Sequence, residues 1–438
     1  MALRPVLRAL LLASAASAAV LACSGGGDPA AEPGDAGADD AATGADVATG
    51  TDGGGGGGDG AVDASADVAN DATLDAAPVD AGPPAVRYIG RFDRRDAAGP
   101  KCAWPGCRIV ANFDGTGVSV TLDEIVLNWM DGAPSEWDVI VDGALQPKLV
   151  TTPGVSTYVL AAGLPAGRHS VELYRRSEAL NGTTQFMGFD FGAGALLPPP
   201  LPATRRIEII GDSQAAAFGL EGVDYPQFDC PGPDGAAKWQ NFRRSFGGVL
   251  GATFGAEVHG LAYSGKGIAK NLWRPDLEPM PMIYDRSDPM DATSTWSFAE
   301  WQPDVIVAMI GTNDFGVGEP NENGAYAPST PEEVTDAFRA FATLLRAKNP
   351  NAHIWLTVSA SATDTYPAGR MSRTRLVAST TTVAAERVAA GDTKTYAFAV
   401  PEAADAELTG CSAHGNPAHH ARIAADLAAQ IKAKTGWN

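Results

Sequence analysis

The sequence predicts two folded domains: an antiparallel β-sandwich of jelly-roll type at residues 86–195, and a three-layer α/β/α domain with a parallel sheet at residues 205–438. Three observations indicate this. Apolar and polar residues alternate with period two in the first region, strand and helix patterns alternate in the second, and a proline-rich connector at 196–204 separates them. A chain of 438 residues has room for two domains and an unfolded segment.

The first domain has strand patterns throughout and no helical period, which is typical of a sandwich. The period-two runs are Val118–Leu122, Trp137–Val141 and His169–Leu173. Turn residues are expected to bound them at Asp114-Gly115, Asp142-Gly143 and Pro165–Gly167.

The clearest helix of the second domain is predicted at Pro331–Lys348, whose apolar residues keep to one face. Thr330 and Glu333 form a capping box before it, and Asn349-Pro350 ends it. Further helices are predicted at 240–253, 373–390 and 420–434, and strands at 206–210, 258–263, 305–310, 354–358 and 396–400. This alternation predicts a parallel sheet covered on both faces, with the site at the carboxyl ends of its strands.

The N-terminal fifth of the chain reads as an export signal and a tether. Residues 1–23 combine two arginines with an apolar run too short to span a bilayer, and they end in a lipobox-like Val20–Cys23. We expect Cys23 to be lipidated, which would anchor an exported protein facing the periplasm or the cell surface; an ordinary secretory signal is the alternative. Residues 24–85 hold almost only Gly, Ala, Asp, Pro and Thr, a composition typical of a flexible linker.

Most of the formal net charge of −20 comes from this linker, which holds 13 acidic residues and neither lysine nor arginine. The rest of the chain is only moderately acidic and has no basic stripe, so nucleic acid is not an expected partner. The sequence contains no metal, nucleotide or flavin motif, and no metal or other cofactor is expected. A monomer is expected, with a membrane contact only through the lipid anchor.

Four cysteines remain if Cys23 is lipidated, and an even number in an exported protein favours disulfides. They allow three pairings, and we prefer a local bridge with a distant one: Cys102 with Cys107, and Cys230 with Cys411. A zinc site is the alternative, although these spacings resemble no zinc module.

A chemically useful group follows each of four predicted strands. The four loops are Gly211–Gln214, Ser264–Gly267, Gly311–Asp314 and Gly410–His414. Because the carboxyl ends of parallel strands meet at one edge, we expect these loops to gather there. They supply a hydroxyl, a backbone amide beside a glycine, a carboxamide and an imidazole, which is the set that acyl transfer needs.

These blocks resemble the SGNH (GDSL-type) hydrolase superfamily, named for its Ser, Gly, Asn and His. The match is closer to carbohydrate esterase family two, whose members join a β jelly roll to an SGNH domain. Its more specific marks are the stretch Leu173–Glu178 in the sandwich, Ser264–Gly267 and Gly410–His414. The resemblance covers roughly residues 87–435 and implies a flavodoxin-like parallel sheet in the second domain.

The resemblance also implies a role for each residue. Ser213 would be the nucleophile and His414 its base. The oxyanion would be held by the backbone N–H groups of Ser213 and Gly265 and by the side-chain amide of Asn313.

Two positions depart from the family pattern. Many SGNH enzymes have an acid three or two residues before the histidine, where this chain has Cys411 and Ser412. The chain is therefore similar to dyad members, with a backbone carbonyl near Ser412 or Ala413 orienting the imidazole. In addition, Gly415 replaces the proline that follows the family's histidine.

Several neighbours of these residues are expected to be structural. We expect Asp212 and Asp314 to fix their loops as acceptors, and one of His419 and His420 to be a helix-start or surface residue. Phe315 and Trp273 are candidates for aromatic platforms that stack on a sugar.

The leading functional hypothesis is an esterase that removes acetyl groups from polysaccharides such as xylan or glucomannan, as the family resemblance implies. A lipid-directed esterase or lysophospholipase is the second hypothesis, because SGNH folds also host these enzymes. The third is a surface protein that binds glycans without turnover, motivated by the missing acid near His414.

Overall fold

The computed structural model describes residues 83, 85–127, 134–223, 230, 237–272, 276–316 and 327–438. The signal segment with Cys23, almost all of the predicted linker and Trp273 lie outside these residues. None of the helices within the described ranges combines the length and apolar character that crossing a bilayer requires.

The described residues of the first domain form one antiparallel sheet of nine strands, which confirms the all-β prediction. Its strands are β1 (Arg87–Ile89), β2 (Lys101–Cys102), β3 (Arg108–Ile125), β4 (Glu136–Val141), β5 (Ala144–Leu145), β6 (Leu149–Val150), β7 (Gly154–Arg175), β8 (Thr183–Asp190) and β9 (Ala195–Leu197). The strand order is β2-β8-β3-β7-β4-β5, with β1 and β9 on β3 and β6 on β4. Because β9 pairs with β3, the first two residues of the predicted connector belong to the sheet.

The two central strands are longer than the sequence predicts. We expected Asp114-Gly115 and Pro165–Gly167 to be turns that end strands, and this was wrong: they lie inside β3 and β7. Gly115 pairs with Gly167, and the register shifts immediately beyond this pair. A bulge there bends both strands without ending them. The glycines that suggested turns in the sequence therefore lie at a bend in the sheet.

The second domain contains a parallel sheet in the order β11-β10-β12-β13-β14. Its strands are β10 (Arg205–Gly211), β11 (Ala256–Ala262), β12 (Val305–Met309), β13 (His353–Val358) and β14 (Thr395–Ala399). Numbered within the domain, this is the order 2-1-3-4-5 of flavodoxin-like sheets, as expected. The helices are α1 (Ser213–Ala216), α2 (Phe246–Phe254), α3 (Met280–Ile283), α4 (Pro331–Lys348), α5 (Ser372–Ala389) and α6 (Pro417–Thr435).

Helices cover both faces of this sheet. Apolar residues of α4 and α5 share one buried cluster with Ile306 and Leu356, and those of α2 and α6 share another with Ile209 and Val307. The cluster under α4 and α5 continues into the first domain through Trp104. The two domains therefore pack around a common core.

Local capping explains where the helices begin. The bounds of α4 and its capping box are as predicted. The helix predicted from residue 240 begins only at Phe246, because the Ser245 side chain accepts a hydrogen bond from the N–H of Gly248 and caps it there. Helix α6 begins at Pro417, before the predicted residue 420, because Asn416 caps it.

Candidate active site

Ser213 is the first residue of α1, directly after the carboxyl end of β10. Asp212 caps this short helix by accepting a hydrogen bond from the N–H of Gln214 at 3.1 Å. The turn is tight: a side chain at Gly211 would lie 2.5 Å from the carbonyl oxygen of Met309. The backbone N–H of a first helical residue has no acceptor within its own helix, so that of Ser213 is available to an oxyanion.

His414 lies against this hydroxyl although it is 201 residues away in the chain. Its Nε2 is 2.8 Å from the Ser213 Oγ, and its Nδ1 is 2.8 Å from the carbonyl oxygen of Ser412. If Nδ1 carries the proton and donates it to Ser412, Nε2 accepts the serine O–H. Burial lowers the pKa of His414, opposed by the hydrogen bonds to backbone carbonyls. The imidazole is therefore neutral at neutral pH, as a general base must be.

A backbone carbonyl contacts the ring nitrogen of His414 that faces away from Ser213. Of the two carbonyls expected from the sequence, the structure places that of Ser412 on the ring. Ser412 and Ala413 both have positive φ, 57° and 54°, which non-glycine residues rarely adopt. Each such residue costs roughly 1–3 kcal/mol, and together they turn the chain back so that a carbonyl meets the side chain two residues later.

The loop that carries His414 is fastened to the loop that follows Ser213. A disulfide joins Cys411 to Cys230, and the N–H of Cys411 donates to the carbonyl of Gly219 at 3.1 Å. The Phe218 ring also packs on the imidazole, with centroids 4.8 Å apart. Both preferred disulfides are present, since Cys102 is joined to Cys107.

The three expected oxyanion donors lie at one edge of the sheet. Gly211 pairs in register with Ala262 of β11 and Met309 of β12, so the loops after these strands leave the sheet side by side. The Asn313 side-chain amide donates to the carbonyl of Lys266 at 2.8 Å, which ties it to the loop of Gly265. Gly265 has a φ of 79°, a conformation that favours glycine.

Each of these three loops is held by a buried carboxylate. Asp212 caps α1, and Asp314 accepts the N–H groups of residues 268–270 and the hydroxyl of Ser329, which confirms the loop-fixing roles expected for both. Glu178, from the first domain, accepts the N–H and hydroxyl of Ser264. Burial raises the pKa of Asp212 and of Glu178 to about 7 and that of Asp314 to about 6.

Some expectations about neighbouring residues need correction. Phe315 was a candidate sugar platform, but it is fully buried in the core and presents no face to a ligand. Trp273 lies outside the described residues. His419 and His420 lie in the first turn of α6, which agrees with the helix-start expectation. Both are fully buried, with His419 against Gly415 and the Nδ1 of His420 accepting the N–H of Phe246 at 3.2 Å.

Two residues that contact the candidate site were not identified from the sequence. Phe218 carries no sequence signal beyond its place five residues after Ser213. Glu178 stands in the stretch that resembled the family, but its partner Ser264 is 86 residues away and no local pattern pairs them. Among the described residues, no group of three or more His, Cys, Asp and Glu side chains is arranged to hold a metal ion.

Two family models match the chain, one for each domain. Residues 88–200 match the carbohydrate esterase 2 N-terminal domain, and residues 209–422 match the GDSL-like lipase/acylhydrolase family.

Similar curated proteins carry esterase names. The chain is 34% identical to the cellulase/esterase CelE of Acetivibrio thermocellus over 81% of its own length, but it spans only 40% of that protein. It is 25% identical to an acetylxylan esterase/glucomannan deacetylase of Cellvibrio japonicus, over 64% of this chain and 73% of that protein.

Solved structures give the same answer for the fold. A family two carbohydrate esterase from Clostridium thermocellum, in complex with cellohexaose, superimposes with a TM-score of 0.71 and 31% identity, covering 81% of this chain and all of that one. The structure of a family two enzyme plus carbohydrate-binding domain from Corynascus thermopiles (Myceliophthora fergusii) gives a TM-score of 0.67 at 27% identity and covers 81% of this chain. Each of the two domains matches a family model, the family two esterase structure is matched over its whole length, and the chain belongs to carbohydrate esterase family two.

Proposed function

We propose that this chain is a serine esterase that removes O-linked acetyl groups from a polysaccharide. The observation that carries the proposal is the contact of 2.8 Å between the His414 Nε2 and the Ser213 Oγ, with the opposite ring nitrogen on a backbone carbonyl. Two relatives support a polysaccharide substrate: one is named an acetylxylan esterase/glucomannan deacetylase, and the family two esterase from Clostridium thermocellum was solved in complex with cellohexaose.

In the proposed reaction, the Ser213 Oγ attacks the acetyl carbonyl carbon while His414 Nε2 takes the hydroxyl proton. The oxyanion that forms accepts hydrogen bonds from the N–H groups of Ser213 and Gly265 and from the Asn313 amide. Collapse of this intermediate expels the sugar oxygen, which receives the proton from His414, and leaves acetyl-Ser213. Water, deprotonated by His414, then attacks the acetyl carbonyl carbon. The bond from this carbon to the Ser213 Oγ breaks, His414 returns the proton to the Oγ, and acetate leaves.

The test is acetate release from acetylated xylan, acetylated glucomannan and p-nitrophenyl acetate, by the wild type and by Ser213→Ala. We expect release by the wild type and a loss of several orders of magnitude in the variant. Unchanged release by the variant would refute the assignment of Ser213, and binding of the glycan without any release would favour a glycan-binding protein instead.

Acyl length distinguishes a polysaccharide deacetylase from a lipid-directed esterase. Comparing acetyl with octanoyl esters of p-nitrophenol should give a steep loss of kcat/KM with length, since the ring of Phe218 stands directly beside the base. Equal or higher activity on the long ester would support the lipid-directed alternative.

We also propose that the protein is exported and anchored through a lipid on Cys23. The support is the sequence alone: an apolar signal segment, the lipobox-like Val20–Cys23 and the acidic linker behind it. Metabolic labelling with an alkyne fatty acid should mark the wild type and leave Cys23→Ala unlabelled. Equal labelling of both proteins, or of neither, would refute lipidation at Cys23.

A further inference from the structure

We infer that Glu178 of the first domain is a positioning residue for the oxyanion hole of the second, because it fixes Ser264 and thereby aims the N–H of Gly265. The inference rests on the proposed function, since it assigns a task within that reaction. The first domain thereby contributes a positioning residue to the catalytic site and does more than pack against the second domain.

Glu178 accepts hydrogen bonds from both donor groups of Ser264, its backbone N–H and its side-chain hydroxyl. The Oε2 of Glu178 accepts the Ser264 N–H at 2.6 Å, and its Oε1 accepts the Ser264 hydroxyl at 2.5 Å. Glu178 is 0% exposed and Ser264 is 4% exposed, so water does not compete for these bonds. A carboxylate with two neutral donors inside a protein holds them strongly.

Ser264 determines where the next N–H points. The Ser264 carbonyl and the Gly265 N–H belong to one planar peptide group, so fixing the backbone of Ser264 limits the rotation of that plane. On the other side, the Gly265 carbonyl accepts the N–H of Leu272 at 2.7 Å. The glycine itself, with φ at 79°, has no side chain to restrict it. The direction of its N–H therefore depends on what holds its neighbours.

Glu178 is itself held rigidly. Gln240 contacts it twice: its amide donates to the Glu178 Oε1 at 3.0 Å, and its carbonyl accepts the Glu178 N–H at 2.7 Å. The buried guanidinium of Arg175 donates to the carbonyls of Ser177, at 3.0 Å, and Gly182, at 2.7 Å, on either side of Glu178. The turn that presents Glu178 is thus fixed before it meets the second domain.

A role in stability alone explains this arrangement poorly. Among the described residues no lysine or arginine forms a salt bridge with Glu178, although the buried guanidinium of Arg175 attracts it electrostatically. Burying a carboxylate without a direct ion pair is costly. Elsewhere the same interface uses paired charges, such as Arg243 with Asp138 at 2.6 Å. The unpaired carboxylate lies where it holds the residue next to an oxyanion donor.

The experiment compares Glu178→Ala, Glu178→Gln and Ser264→Ala with Arg243→Ala, which removes an ion pair of the same interface away from the site. Rates on p-nitrophenyl acetate are normalised to active sites titrated with a phosphonofluoridate. We expect Glu178→Ala to lower kcat at least tenfold with KM within about twofold, since losing an oxyanion donor outright costs about 10²–10³. Glu178→Gln, which keeps one acceptor, and Ser264→Ala, which keeps the N–H bond, should lose less, and Arg243→Ala less than twofold.

The inhibition constant of an alkyl boronic acid, which forms a tetrahedral adduct on Ser213, separates positioning from general damage. It should rise in Glu178→Ala by about the factor by which kcat falls. If Glu178→Ala does not fold, the same correlation is tested in Glu178→Gln and Ser264→Ala. Unchanged kcat in these two variants, or a loss in kcat equal to that of Arg243→Ala, would overturn the inference. A wild type without esterase activity would instead overturn the proposed function.

Discussion

The two halves of the active site are held by different physical means. The loop of the base, Gly410–His414, is fixed by main-chain and covalent contacts: a disulfide, a strained turn and the Ser412 carbonyl. The loops of the oxyanion donors are fixed by the buried carboxylates Asp212, Glu178 and Asp314. Within the described part of the chain no carboxylate contacts His414, but three carboxylates lie elsewhere in the site. These carboxylates position the oxyanion donors, whereas a backbone carbonyl orients the base.

This difference predicts which changes affect each half. Backbone and disulfide contacts carry no charge, so the base should be sensitive to steric changes and to reduction. The donor loops depend on hydrogen bonds to carboxylates, so they should be sensitive to side-chain replacement.

Replacing Asn313 by alanine should lower kcat by roughly a hundredfold or more, about 3 kcal/mol, with little change in KM. The substitution removes a donor to the oxyanion and also the bond of 2.8 Å to the Lys266 carbonyl. Steady-state kinetics on p-nitrophenyl acetate measures it. Asn112→Ala, in the first domain, is the control and should stay within twofold; an equal loss in both variants would contradict the assignment.

Replacing Gly415 by alanine should displace the His414 loop and lower kcat about tenfold. This loss corresponds to a rise of about 1.4 kcal/mol in the activation barrier. A Cβ at this position would lie 2.2 Å from the Cδ2 of His419. The double variant Gly415→Ala/His419→Ala should recover part of the loss, because the clash is removed. Additive losses in the double variant would show that His419 does not transmit the effect.

Removing the Cys230–Cys411 bridge by a pair of serines should lower kcat several-fold, since the bridge holds the residue next to Ser412. It should also cost more stability than removing Cys102–Cys107: about 5 kcal/mol for a separation of 181 residues against about 2 for 5 residues. Denaturant unfolding and kinetics below the transition measure both effects. Equal kcat in the two double variants would contradict a positioning role for Cys411.

The pH dependence should report the base. Because burial lowers the pKa of His414 from 6.5, protonation of this ring should lower kcat/KM only below an apparent pKa under 6.5. The sign follows from the mechanism: protonation at acid pH removes the acceptor for the serine proton. An acid limb above 6.5 would report a group other than His414, such as Glu178 or Asp212, whose pKa burial raises to about 7.

Much of the architecture is visible in the sequence because it depends on local patterns. The helix α4 has its one-sided apolar face and its capping box within 20 residues, and the strands of the second domain are short apolar runs. The bend in β3 was misread, because glycines that bend a strand look like glycines that end it. The helix predicted from residue 240 starts later, at Phe246, because a separate 3-10 turn capped by Asn241 precedes it at Phe242–Arg244.

The site was predictable as a set of residues but not as a geometry. Ser213, Gly265, Asn313 and His414 follow strand ends, which the chain topology brings together. The bond between Glu178 and Ser264 joins different domains, and periodicity carries no information about such contacts. Phe315 shows that nearness in the sequence does not place a residue in the site. It follows the candidate residues Asn313 and Asp314 closely, but its side chain is buried in the core.

The orientation of His414 by a backbone carbonyl can be measured by ¹⁵N NMR of selectively histidine-labelled protein. The chain has six histidines, and His414→Ala identifies the signal. At pH 8 we predict a neutral ring with the proton on Nδ1, where it donates to the Ser412 carbonyl, and with Nε2 free to accept from Ser213. A proton on Nε2, or a ring that stays charged at pH 8, would contradict this orientation.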